Sequence, residues 1–253
     1  MKSKINFSVI LISTAIAGSV FAGGTLELQN MPYDWSGNYV GVDLGGGWVN
    51  ESYNFQAGFL GAMAKPAFAP AGNGGSFSQK LSGVEGGMQL GHNWQFRQRW
   101  MLGVESEFDG VNFSKTTTNP FSGLTGTNTT YKTTFNWLYT ITPRFGVACH
   151  HFLFFGKVGL GITNAQSQLN TNSNLGSEPS VFNQSQNLIG LDLGAGIDYA
   201  LNKWLLGVEY DHINFGHTEF GGEDKPSGTA PIAYNIYPIF NAVKATFGYK
   251  FST

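Results

Sequence analysis

The stretch Ile189-Gly190-Leu191-Asp192-Leu193-Gly194-Ala195-Gly196-Ile197-Asp198-Tyr199 alternates without a fault, apolar residues at odd positions and glycine or aspartate at even ones. Strict period two puts the two sets on opposite faces of one β-strand. The polar face is unlike that of a soluble sandwich, where Lys, Glu and Thr meet water. Glycine and isolated carboxylates suit a narrow lumen, so the apolar face is expected to point outward into lipid. There a sheet survives only by closing on itself, because every backbone N–H and C=O must be paired within the protein.

Seven further segments of about ten residues repeat the pattern. Val40, Val42, Leu44 and Trp48 oppose Gly41, Asp43, Gly45 and Gly47; Val84, Met88, Leu90 and Trp94 oppose Glu85, Gly87, Gln89, Gly91 and Asn93. Trp100, Leu102, Val104 and Phe108 oppose Gly103, Glu105, Glu107 and Asp109. In the fourth segment Phe135, Trp137, Tyr139 and Ile141 oppose Asn136, Thr140, Thr142 and Arg144, and Pro143, lacking an N–H, predicts a bulge or kink. Val158, Leu160 and Ile162 oppose Lys157, Gly159 and Gly161; Leu206, Val208 and Tyr210 oppose Gly207, Glu209 and Asp211. The last segment sets Val243, Ala245, Phe247, Tyr249 and Phe251 against Lys244, Thr246, Gly248 and Lys250. The fold class expected is all-β: an eight-stranded antiparallel up-and-down transmembrane β-barrel.

Connections near 95–99, 148–151 and 201–203 are tight, whereas 50–80, 113–130, 165–187 and 217–240 read as four long extracellular loops. Short turns belong on the periplasmic side. Trp94, Trp100, Tyr199, Trp204 and Phe251 then gather at the periplasmic rim as an aromatic girdle, and Trp48, Phe108 and Phe135 begin the opposite one.

The chain's start carries an address. Lys2 and Lys4 precede an apolar run from Ile5 to about Ala17, and Val20-Phe21-Ala22 offers small residues for cleavage before Gly23. The run is shorter than the about 20 residues a spanning helix needs. Residues 1–22 are therefore expected to be a signal peptide, 23–36 a periplasmic lead-in and 37–253 the barrel domain. No Cys follows the cleavage site, so a lipoprotein anchor has no attachment point. The one cysteine, Cys149, makes no internal disulfide, and the fold must be held by other means. With charged residues at 12%, a net charge of −2 and no basic cluster, nothing favours nucleic acid as a partner.

Several strings resemble the OmpA-like eight-stranded outer-membrane barrels, a group that includes opacity-type, porin-like and haemin-binding surface antigens of Gram-negative bacteria. They are Trp35-Ser36-Gly37-Asn38-Tyr39-Val40-Gly41, Gly86-Gly87-Met88-Gln89-Leu90-Gly91-His92-Asn93-Trp94-Gln95, Gly207-Val208-Glu209-Tyr210 and Phe247-Gly248-Tyr249-Lys250-Phe251. Ser252 and Thr253 after the last aromatic depart from the family's usual ending, and no peptidoglycan-binding domain or wall-anchoring role is expected. The resemblance implies a non-enzymatic surface protein of the cell outer membrane, contributing to envelope integrity and surface contact. Its expected partners are outer-membrane lipid, the barrel-assembly machinery, and host or environmental ligands reached through the loops. Two alternatives stay open: a small-solute porin with a narrow gated lumen, and a loop-mediated adhesin or haemin-binding protein.

The inward charges form the main constellation: Asp43, Glu85, Glu105, Glu107, Asp192, Glu209 and Asp211 against Lys132, Arg144, Lys157 and Lys244. Buried charges persist when paired, and eight strands leave just enough width for their side chains, so a salt-bridge plug is expected. Lys157, at mid-depth, should meet at least one of Glu105, Glu107, Glu209 and Asp43. Arg144, lower, should hold a separate group such as Asp198 or backbone carbonyls. No catalytic residues, metal site or cofactor are expected. His212 lies on the outward face, where a hydrolase would need a Ser and an acid beside it, and Asn214 follows instead. His150 and His151 share a tight turn, and the glycine strings precede neither a helix nor a Lys-Ser/Thr. In the first loop Phe55, Phe59, Leu60, Met63 and Phe68, and in the fourth Tyr234, Tyr237 and Phe240, suggest either an external apolar contact patch or packing of the two loops upon each other. Axial haem ligands would come from residues such as His217, Tyr234 or Met63.

Overall fold

A computed structural model describes residues 33–55, 76–118, 127–173, 180–223 and 231–251. The signal peptide, most of the lead-in, Phe59, Leu60, Met63 and Phe68 lie outside the described residues. The strands are β1 (Gly37–Phe55), β2 (Ser76–Phe96), β3 (Trp100–Thr118), β4 (Thr127–Cys149), β5 (Phe152–Ser173), β6 (Ser180–Leu201), β7 (Trp204–Asn214), β8 (Thr218–Glu223) and β9 (Pro231–Lys250). From β1 to β7 successive strands pair antiparallel, β9 pairs with β7, and β1 pairs with β9 to close the ring.

β7 and β8 both pair with β9 and together make one position, so the ring has eight. Between them Gly216 takes φ 65°, and its N–H donates to Asn214 Oδ1 at 2.9 Å. At the tight-turn end the reversals place Arg97, Gln98, His150 and Asn202 at φ 51°, 61°, 54° and 57°. Left-handed turn residues match the right-handed twist of the strands they join.

The alternation places the apolar sets outward, from Val40, Val42 and Leu44 on β1 to Val243 and Phe247 on β9. The strands also run further than the sequence suggests. Tracts read as loops at 113–130 and 165–187 are largely ladder, with Thr118 opposite Thr130 and Thr171 opposite Ser180. Ser114, Thr116, Thr118, Gln166, Asn183 and Ser185 face out beyond the apolar band, while alternate residues such as Tyr131, Thr133, Ala165 and Ser167 are buried.

The fourth strand departs from its expected alternation. Asn136 and Trp137 both turn away from the interior as the β4–β5 register shifts between Phe135 and Leu138, a bulge that inverts the faces beyond it. Phe135 is therefore fully buried rather than in a girdle, and Lys132 is exposed rather than in the lumen. No shift occurs at Pro143. It drops out of the β4–β5 ladder, but Ile141–Leu160 and Arg144–Lys157 keep one register on either side.

The cross-section changes along the molecule. The β2–β3 ladder reaches only to Glu85–Val111, and the β6–β7 ladder only to Leu191–Asn214. Beyond these pairs β8-β9-β1-β2 form one wall and β3-β4-β5-β6 the other. Tyr53, Leu81, Phe220, Tyr234 and Phe240 from the first wall join Phe113, Tyr131, Phe135 and Leu188 from the second in one buried cluster. The barrel thus ends in a two-walled structure whose mainly apolar interior encloses one polar group, Glu51 bonded to Gln79 and Tyr53 beside Thr133.

Candidate functional site: a charged lumen between two apolar layers

Below the two-walled region, inward parity brings nine acids and three cations into one interior: Asp43, Glu85, Glu105, Glu107, Asp109, Asp192, Asp198, Glu209 and Asp211 around Arg144, Lys157 and Lys244. Lys157 Nζ lies 2.9 Å from Asp211 Oδ1, 3.7 Å from Glu107 and 3.8 Å from Glu105, and it also bonds Glu209. Lys244 Nζ bonds Glu107, lies 2.9 Å from Asp211 Oδ2 and stands 3.7 Å from Asp109. Both lysines therefore link β3 to β7. In a ring of eight those strands are opposite walls, so the ion pairs cross the full lumen.

Gly194 makes room for this. A Cβ there would stand 2.6 Å from Lys157 Cε and 2.5 Å from Asp211 Oδ1.

Arg144 reaches Glu105 Oε2 at 2.7 Å and Asp198 Oδ2 at 2.8 Å, and its guanidinium packs 3.7 Å from the Phe155 ring centroid. Tyr39 donates its hydroxyl to the same Glu105 oxygen at 2.7 Å. The group expected to be separate is thus continuous, because Glu105 serves both Arg144 and Lys157. Asp43 is absent from the Lys157 set. Asp43, Glu85 and Asp192 face the lumen, yet their carboxylates make no well-formed hydrogen bond among the described residues.

A second apolar layer lies toward the tight turns, where Trp35, Tyr39, Met101, Leu153, Phe155 and Leu205 cluster. The lead-in supplies Trp35, whose backbone N–H donates to Gln95 Oε1 at 2.6 Å. Tyr33 packs edge-on against Trp35 at 5.0 Å with Lys250 over its ring at 4.7 Å. Burial there, with Asp34 nearby, pushes the Tyr33 hydroxyl up to about 12.

Outside, Trp94, Trp100, Trp204 and Phe251 are exposed at the tight-turn end; Trp100 stacks on Phe145 at 5.4 Å and Trp204 on Phe247 at 5.0 Å. Trp48 is half-buried on the outward face, with Lys80 5.2 Å from its ring centroid. Two residues expected in an external patch are interior instead. Tyr234 and Phe240 are buried, Tyr234 stacked on Phe220 at 5.7 Å and bonded to Ser167 at 2.6 Å. Tyr237 stays half-buried with its ring 5.9 Å from that of His217, while the Phe55 side chain is outside what is described.

His212 Nδ1 lies 2.9 Å from Asn241 Oδ1, which also accepts from Tyr210 at 2.8 Å. His151 Nδ1 donates to the Ala200 carbonyl at 3.0 Å, tying the turn, and His150 Nδ1 lies 3.7 Å from Cys149 Sγ. Reading the sequence passed over Trp35 and Tyr39 as interior residues. Tyr39 shares parity with Asp43 and was findable; Trp35 precedes the first strand, where parity has no meaning.

Comparison with known proteins agrees with this geometry. The family described as "Outer membrane protein beta-barrel domain" matches residues 11–251. The 31 kDa outer-membrane immunogenic proteins of Brucella melitensis and Brucella suis are each 27% identical, over 99% of this chain and 100% of theirs. Among solved structures, the outer membrane protease OmpT of Escherichia coli superposes with a TM-score of 0.51 at 10% identity, covering 85% of this chain and 97% of that one. OprG of Pseudomonas aeruginosa gives 0.49 at 14%, over 85% and 97%. At such identities the likeness is one of fold alone. A closed ring of eight antiparallel positions, apolar outside and charged within, together with a family match across almost its whole length, makes this chain a member of the outer membrane protein beta-barrel domain family, resident in the cell outer membrane.

Proposed function

We propose that the protein is a non-enzymatic surface barrel that supports envelope integrity and presents its two-walled end to the cell exterior, with a lumen closed to solutes. The observation that carries this reading is the pair of lysine bridges between β3 and β7. Glu105, Glu107, Glu209 and Asp211 are bound to Arg144, Lys157 and Lys244 across the lumen, with an apolar cluster on either side. Removing one partner of such a set is costly, so the plug resists opening. His212 makes its polar contact with an amide, Asn241, which favours packing at the outer face over hydrolysis. Surface presentation is further supported by the relatives in Brucella, which are named outer-membrane immunogenic proteins.

The test is a deletion strain complemented with the parent gene. Increased sensitivity to detergent and to large antibiotics, restored by the parent, is expected. Slowed uptake of small sugars with unchanged detergent tolerance would point to a porin instead.

A further inference from the structure

Asp43, Gly87 and Asp109 lie in one row across three strands, Asp43 paired with Gly87 and Gly87 with Asp109. Gly87 contributes no side chain, and a Cβ there would run into Asp109 Oδ1 and stand 2.8 Å from the Asp109 Cα. The carboxylates of β1 and β3 therefore approach each other over a notch in β2. The next row toward the tight turns pairs Gly41, Gln89 and Glu107. Oxygens of Asp43, Glu107 and Asp109 all come within 4.8 Å of one another.

What distinguishes this group is its unspent oxygen. Both carboxylate oxygens of Asp43 and of Asp109, and Oε1 of Gln89, are buried without a well-formed hydrogen bond among the described residues, the Asp43 carboxylate lying only against Asp109 and the Gly87 N–H. Lys244 bonds Glu107 but stands 3.7 Å from Asp109. In the neighbouring triad Glu107, Glu209 and Asp211 every member has a lysine within 3.7 Å, whereas here Lys244 serves Glu107 and Asp109 and leaves Asp43 without a cation. Carboxylates this close cannot all stay ionised in a dry interior without added positive charge.

We propose that Asp43, Asp109 and Glu107, with Gln89 Oε1, bind a divalent cation of the calcium class. The donors are carboxylate and amide oxygens only, with neither imidazole nor thiolate, which suits a hard cation over zinc. Their irregular arrangement across three strands suits the flexible coordination of Ca2+ better than the strict octahedron of Mg2+. The site lies just below Glu85–Val111, the last β2–β3 pair, so the ion joins the two walls at the point where the ladder parts. This inference does not depend on whether the lumen conducts.

The experiment uses the mature protein refolded in neutral detergent without lipopolysaccharide and freed of metal by chelator. Ca2+ at about 1 mM, the range of weak extracellular sites, is expected to raise the unfolding midpoint saturably and to give a one-site binding isotherm. The Asp43→Asn/Asp109→Asn variant should lose both responses, yet unfold no earlier than the metal-free parent, because mutual repulsion has been removed. Asp192→Asn, an equally unpaired carboxylate on β6, should keep the Ca2+ response. A parent indifferent to Ca2+ in both assays overturns the site, with shared protons then satisfying the carboxylates. An equal response in the double variant also overturns it by placing the ion elsewhere. Should the double variant fail to fold, Gln89→Ala and Asp43→Asn alone must each weaken the isotherm.

Discussion

Lys157 is surrounded by four carboxylates from two strands, each two positions away in the ring. Replacing it by Met leaves those carboxylates without their shared cation, which typically costs about 3–5 kcal/mol. Unfolding of Lys157→Met in urea should show a correspondingly lower midpoint, and an unchanged midpoint would mean the amine carries no such burden. The turn residue His150 should behave oppositely. Its φ of 54° suits glycine, so His150→Gly is expected to stabilise by roughly 0.5–1 kcal/mol, read from the same curves. Parity alone made Lys157, Glu105, Glu107 and Glu209 legible as lumen residues. It could not show that Asp43 turns instead toward Asp109, because that depends on the Gly87 notch and on which strands face each other in the closed ring.

At the level of the strand, period two holds until a residue is inserted. The bulge at Asn136–Trp137 has no warning in the alternation, since Phe135 and Trp137 look like successive members of one apolar face. Pro143 looked the likelier irregularity, yet it sits outward and exposed, where losing one ladder bond leaves the register intact. Phe135→Ala should therefore cost about 3–5 kcal/mol, as for a core aromatic, whereas Phe108→Ala on the outward face should cost much less. Comparable losses for both would return Phe135 to the surface. The same strands show where lipid ends. Outward residues turn from Val40, Val42 and Leu44 to Asn50 and Asn54 on β1, and reach Asn112 on β3, Asn164 on β5 and Asn214 on β7. The apolar part spans about nine residues, the length a tilted strand needs to cross the hydrocarbon core. Val42→Arg should lower stability by about 2–4 kcal/mol in lipid vesicles, and Asn54→Arg should be near neutral. Polar tracts beyond that boundary looked like loops because hydrated strands and hydrated loops share a composition.

For the molecule as a whole, closure of β1 on β9 leaves no free edge among the described residues below the two-walled end, so the folded form should migrate apart from the boiled form on detergent gels. In a Cys149→Ser background, cysteines placed at Lys115 and at Asn202 test which end faces outward. An impermeant reagent on intact cells should label the first and spare the second; the reverse pattern inverts the orientation. The decisive question concerns the lumen, where opposite walls are tied by lysines between two apolar layers. Single-channel recording of the refolded protein in planar bilayers addresses it most directly. The parent should stay electrically silent, and Lys157→Met should open an irregular, cation-favouring leak because acids outnumber cations inside. Stable, regular conductance steps from the parent would contradict a closed lumen.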